Sequence, residues 1–209
     1  MAIYIDGITG PIRGKIGNIV GSTWKGMPYL KLRPERRKPA GAKEMANRNK
    51  FAMSQSWLKP IKALVRCGFK GYSERVEGFT AAKSYLLKNA FEGEGSGMII
   101  NPALAKISIG NLPLPGDITA AKLTPSQLQV SWDTSDFSGN RFDQVMLLAY
   151  DVETGRAVFN TTGQFRSVGS DTLHIEPASP ERIYHIYVAF VAADRSRQSD
   201  SVYLGTISF

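Results

Sequence analysis

Between positions 13 and 50 the chain carries eleven basic residues, Arg13, Lys15, Lys25, Lys31, Arg33, Arg36, Arg37, Lys38, Lys43, Arg48 and Lys50, against two acids, Glu35 and Glu44. A net +9 over so short a stretch is a chemistry of attraction rather than of bond breaking. It draws phosphate backbones through counterion release, or docks an acidic protein surface. Trp24 and Tyr29 are interleaved with these cations and supply flat faces on which unpaired bases can stack. The candidate contacts for a protein partner or a nucleic acid are therefore Arg13, Lys15, Trp24, Lys25, Lys31, Arg33, Arg36, Arg37, Lys38, Lys43 and Arg48. A plain solvated basic face is the remaining alternative.

No other set of residues makes a reactive centre. A phosphate-cradling loop needs a longer spacing between its glycines and a Ser or Thr after the lysine; here three residues separate Gly10 from Gly14, and Ile16 follows Lys15. These glycines read as turn formers. His174 and His185 fall inside apolar strand patterns, as sheet-surface or satisfied core residues rather than members of a triad. One cysteine, two histidines and the scattered Asp133, Asp136, Asp143 and Asp151 do not match a metal cage. The expectation is a protein that is not an enzyme and has no catalytic residue, metal site or cofactor.

The charge that singles out residues 13–50 also divides the chain. Residues 1–100 hold 18 Lys+Arg against 7 Asp+Glu, a net of +11, whereas residues 101–209 hold 8 against 11, a net of −3. With 43% hydrophobic residues the chain can bury a core and lies outside the compositional range of disorder. Cys67 is the only cysteine, which rules out an internal disulfide and fits a reducing compartment. The first residues lack the apolar h-region of a signal peptide, and no apolar run is long enough to cross a bilayer. A cytoplasmic protein is expected, or a virion component if the chain is phage-derived.

The elements that must position the basic residues follow from texture. Gly7, Gly10, Gly14, Gly17, Gly21 and Gly26 punctuate short apolar stretches, predicting short strands and tight turns. Over 27–33, Tyr29 and Lys31 alternate with Leu30 and Leu32, the period-two pattern of a half-buried strand. Pro34 and Pro39 make 33–41 an extended connector. A helix is predicted from about residue 42 to its break before Pro60, a second to Cys67 with Gly68 as its stop, and a third over 80–91 capped by Thr80. The aromatics Phe51, Trp57, Phe69, Tyr72, Phe79, Tyr85 and Phe91 are expected mostly in the core of these helices. Beyond residue 100 strands are predicted at 104–109, 118–123, 128–132, 144–151, 156–160, 172–176, 183–192 and 201–208, with turn signals between several of them. Such spacing without intervening helices reads as an antiparallel sandwich. The expected organisation is a basic α+β domain of short strands and about three helices over 1–100, a linker or first strand over 101–111, and an all-β sandwich over 112–209.

Two resemblances sharpen this organisation. The order Leu128-Gln-Val-Ser-Trp132, a central strand ending Ala149-Tyr150, and Ile183-Tyr-His-Ile-Tyr-Val-Ala-Phe190 resembles a fibronectin type III or related immunoglobulin-like domain. That resemblance implies a core role for Trp132, a tyrosine corner at Tyr184 or Tyr187, and a binding or spacer module. The motif Gly14-Lys-Ile-Gly-Asn-Ile-Val-Gly21, then Trp24-Lys-Gly26, then Asn47-Arg-Asn-Lys-Phe51, resembles an uncharacterised domain-of-unknown-function family of bacterial and phage-associated proteins. It implies a structural or interaction protein, a phage-derived or phage-like assembly component working through a protein partner or self-assembly. The alternative is an intracellular nucleic-acid-binding protein using the basic segment.

Overall fold

Glycine placement shapes the N-terminal strands. In a computed structural model, which describes residues 3–4, 10–24, 26–35, 39, 41–73, 76, 78–93, 95–135 and 139–209, residues 1–44 form one compact unit and residues 45–209 a second. The first unit holds β1 (Ile3–Tyr4), β2 (Ile12–Ile16), β3 (Ile19–Trp24) and β4 (Met27–Leu32), antiparallel neighbours in chain order. Gly17, at φ +54, takes the first position of a two-residue β2–β3 loop, where a left-handed residue matches the twist of the strands. Gly14, at φ +109, sits where β2 turns from pairing with β3 to pairing with β1. That turn carries the start of β2 across Gly21, where a Cβ would lie 1.9 Å from the Ile12 carbonyl oxygen. Only glycine fits there.

In the second unit come α1 (Ala42–Leu58, its first turn shared with the first unit), α2 (Lys62–Gly68) and α3 (Gly78–Asn89), then the short pair β5 (Phe91–Glu92) and β6 (Ile99–Ile100). Strands β7 (Thr119–Thr124), β8 (Gln127–Ser131), β9 (Gln144–Asp151), β10 (Arg156–Asn160), β11 (Ser170–His174), β12 (Ile183–Val191) and β13 (Val202–Ser208) complete it. They form two antiparallel sheets, β11-β8-β7 and β10-β9-β12-β13. Helix α3 starts at Gly78, two residues ahead of the expected Thr80 cap, because the left-handed Gly78 turns the chain and donates its N–H to Phe69 O at 2.9 Å.

Both faces of the central strands are buried. Val145, Leu147, Ala149, Ile186, Val188 and Phe190 point inward to meet Leu128, Val130, Trp132 and Leu173 from the opposite sheet. The alternate residues Met146, Leu148, Tyr150, Tyr187, Ala189 and Val191 meet Trp57, Leu58, Ile61, Leu64, Val65 and Leu86 of the helices and their connections. The result is three layers, helices on sheet on sheet. This explains why 144–151 and 183–191 read as continuous apolar runs: a strand covered on both sides has no polar face.

The compact units accordingly divide at 44/45 rather than at the expected residue 100. The helices share a core with the outer face of β9 and β12. Residues 101–111, expected as a linker or first strand, contain one short 3-10 turn (Pro102–Leu104) followed by irregular chain in which Ala105, Ile107 and Ser108 are buried. Close passage, not a ladder, holds this segment: Ile109 N–H donates to Gly68 O at 2.9 Å and Ser201 N–H to Ser108 O at 3.0 Å. Of the aromatics expected in the core, Phe51 and Tyr72 are exposed; Phe51 lies under the Lys83 ammonium, 4.1 Å from its ring centre. Trp132 is buried, edge-on to Phe190 at 5.2 Å with its indole N–H donating to Arg166 O at 2.8 Å. The tyrosine-corner role does not extend to Tyr187, which faces the helices and donates its hydroxyl to Pro102 O at 2.7 Å.

A candidate interaction surface on the N-terminal sheet

The register of β2, β3 and β4 sorts their side chains onto two faces, since cross-strand partners share a face and alternate residues change it. Ile16 pairs with Ile19, Ile19 with Leu32, and Gly21 with Leu30, so Ile16, Ile19, Leu30 and Leu32 share an aliphatic face. Lys15, Val20, Ser22, Trp24, Met27, Tyr29 and Lys31 share the other. The Lys31 ammonium lies 5.8 Å from the Tyr29 ring centre, a cation against an aromatic face on the same side of β4.

Among the described residues both faces carry exposed apolar side chains. Every residue of β4 is exposed, with Leu32 at 77%, Met27 at 60% and Leu30 at 56%, and Ile16, Ile19 and Trp24 are exposed as well. The expected half-buried strand is therefore corrected. Period two assigns Leu30 and Leu32 to one side of the sheet, but it does not say that anything lies on that side. These aliphatic residues are the part of the surface that sequence reasoning missed.

The basic candidates fall into separate groups. Lys15, Trp24 and Lys31 are brought together on one face; Arg13 lies beyond the bend at Gly14, exposed in β2, and Arg33 follows β4, its N–H donating to Asn18 O at 2.7 Å. Lys43 is exposed in the first turn of α1. Arg48 is an exposed α1 residue of the second unit. Lys25, Arg36, Arg37 and Lys38 lie outside the described residues.

Several of the other residues considered for chemistry have structural partners. Residues 12–16 are extended strand, so Gly14 and Lys15 do not wrap an anion. Asp133 accepts from the Ser135 N–H at 2.8 Å and hydroxyl at 2.6 Å, bonds that hold its carboxyl below the usual range. Asp143 accepts from Asn140 N–H at 2.9 Å, Asp151 from Glu153 N–H at 3.0 Å, and Asp136 lies outside the described residues. Among the described residues no three His, Cys, Asp or Glu side chains group to hold a metal ion. His174 is exposed on β11. His185 is half-buried, its Nδ1 2.9 Å from the Tyr203 hydroxyl; burial lowers its pKa, with Asp151 pulling the other way. Cys67 is half-buried against the helical core. Burial also pushes the Tyr150 hydroxyl up to about 12, so it stays a donor to Trp57 O, at 2.8 Å. Trp57 and Tyr150 line a cleft of about 540 Å³ with Met53, Ile100, Val152 and Thr154, which the sequence did not signal. Among the described residues no helix is long and apolar enough to cross a membrane.

Comparison with known proteins bears on the whole chain. A family model described as a family of unknown function (DUF6266) matches residues 11–205, and the chain belongs to that family. No curated protein matches. Among solved structures, the fn3 domain of the human collagen alpha-1(XX) chain is similar at 19% identity and a TM-score of 0.35, over 55% of this chain and 89% of that one.

Proposed function

We propose that this DUF6266 member is a non-enzymatic structural and interaction protein, a phage-derived or phage-like assembly component that contacts its neighbours through the N-terminal sheet. It acts in the cytoplasm of the producing cell or in the assembled particle. The observation that carries this reading is the exposure of Ile16, Ile19, Leu30 and Leu32 on one face of a sheet. Apolar residues gathered on one exposed face mark an interaction surface, whereas scattered ones need no explanation. The sandwich supports a spacer or binding role. Its strand order, three strands (β7, β8, β11) against four (β9, β10, β12, β13), is that of a fibronectin type III-like module. Sedimentation equilibrium over a wide concentration range tests the reading: the mass should rise with concentration, and Leu30→Ser with Leu32→Ser should hold it at the monomer. A monomeric mass throughout, with no partner recovered, refutes it.

A second reading is favoured by the opposite face, which Lys15 and Lys31 share with Trp24 and Tyr29. A basic sheet with aromatics is a surface for single-stranded nucleic acid. Retention on DNA or RNA should then weaken with salt. Neutralising Lys15 and Lys31 together with Arg33, Arg36, Arg37 and Lys38 should abolish it, and unchanged retention sinks this reading.

A further inference from the structure

The outer edge of β4 is the feature that reaches furthest. The Arg33 N–H donates to Asn18 O just beyond the Ile19–Leu32 pair. In an antiparallel ladder, pairs that exchange hydrogen bonds alternate with pairs that do not. Val20–Lys31, Ser22–Tyr29 and Trp24–Met27 are therefore the bonded pairs, and Pro28, Leu30 and Leu32 turn their backbone groups outward. Proline at 28 agrees with this phase: it lacks an N–H, and only an outward position spares the β3–β4 ladder a missing rung. The edge so exposed is a template for another strand.

We propose that it is filled by the same edge of a second copy, antiparallel and centred on Leu30, so that two N-terminal sheets join into one. The inference rests on the assembly reading and names its geometry. In this register each Leu30 exchanges both backbone bonds with the partner's Leu30, and each Leu32 N–H meets the carbonyl of the partner's Pro28, while the Leu32 carbonyl, to which proline cannot donate, is left to water. Tyr29 stands opposite the partner's Lys31, extending across the interface the cation–aromatic contact already present within β4. Alternative two-fold registers are poorer: centring on Lys31 sets lysine against lysine, and centring on Tyr29 sets Lys31 against the partner's Met27, which forgoes the cation–aromatic contact. The aliphatic face becomes continuous across both copies. Residues 1–44 carry nine Lys+Arg against three acids, net +6, so the copies repel and added salt strengthens the pairing. That is opposite in sign to nucleic-acid binding.

Cross-linking of the full chain in a Cys67→Ser background tests the register. Leu30→Cys should oxidise to a disulfide dimer, because residues in a bonded pair lie roughly 5.5 Å apart between Cα atoms, within disulfide reach. A mixture of Tyr29→Cys and Lys31→Cys chains should cross-link at about tenfold the yield of either alone, since only the mixed pair falls opposite in this register. Leu30→Pro, which removes an N–H not used by β3, should abolish association while leaving the circular dichroism of the monomer unchanged. Wild-type self-association together with no Leu30→Cys dimer and an unaffected Leu30→Pro variant overturns this geometry but spares the assembly reading. A wild-type protein that never self-associates overturns both.

Discussion

Gly21 and His185 show how much a single position decides. A methyl group at Gly21 would sit 1.9 Å from a backbone oxygen, so Gly21→Ala must displace the start of β2. The cost is about 1–3 kcal/mol, typical of inserting a methyl where none fits. Hydrogen exchange should show lost protection in β2 and β3 with β9 and β12 unaffected; retained protection in β2 counts against the crossing described. At His185 burial disfavours the imidazolium, so the folded pKa lies below the ordinary histidine value. As pH falls, the unfolded chain takes up the proton first. The stability contributed by this group is thus complete above about pH 6.5 and is lost as pH drops below that value. Urea midpoints should fall on acidification, and His185→Gln should reduce the fall; an identical fall in that variant rejects the assignment.

At the scale of elements, two tyrosines fasten the sandwich to the layer outside it. Tyr150 on β9 bonds the carbonyl of Trp57 at the end of α1, and Tyr187 on β12 bonds the carbonyl of Pro102. Tyr150→Phe leaves a buried carbonyl without its donor and should cost about 1–3 kcal/mol in chemical denaturation. Trp57→Ala removes the ring packed edge-on to Tyr150 at 5.2 Å and should cost about 3–5 kcal/mol. Loss of less than a third of that would mean that the helices are a loosely held layer. The segment before β7 has a similar task. The Ser108 hydroxyl lies 2.6 Å from Ser199 O and 3.1 Å from Gly68 O, at the junction of α2 with the loop leading into β13.

On the scale of the whole molecule, the three-layer unit makes helices and sandwich interdependent. Expressed alone, residues 112–209 would present Met146, Leu148, Tyr150, Tyr187, Ala189 and Val191 to water. Such a patch favours association. The fragment should bind a hydrophobic dye and self-associate, whereas residues 45–209 should unfold in one cooperative transition. A monomeric, dye-silent 112–209 fragment would restore the boundary at residue 100.

The sequence by itself determined the local elements. Strands 144–151 and 156–160 stand where β-branched and apolar runs end at turn residues, and α1 and α2 run where periodicity, Pro60 and Gly68 allow. It also determined which residues share a face of β4, because side-chain alternation is a property of the extended backbone. What covers a face is decided by chain segments distant in sequence, and only the tertiary structure supplied that. It placed the helices on the outer face of β9 and β12 and buried Ala105, Ile107 and Ser108 where a linker was expected. The basic stretch was legible as charge. That Leu30 and Leu32 beside it stay exposed is a tertiary outcome, which no local pattern encodes.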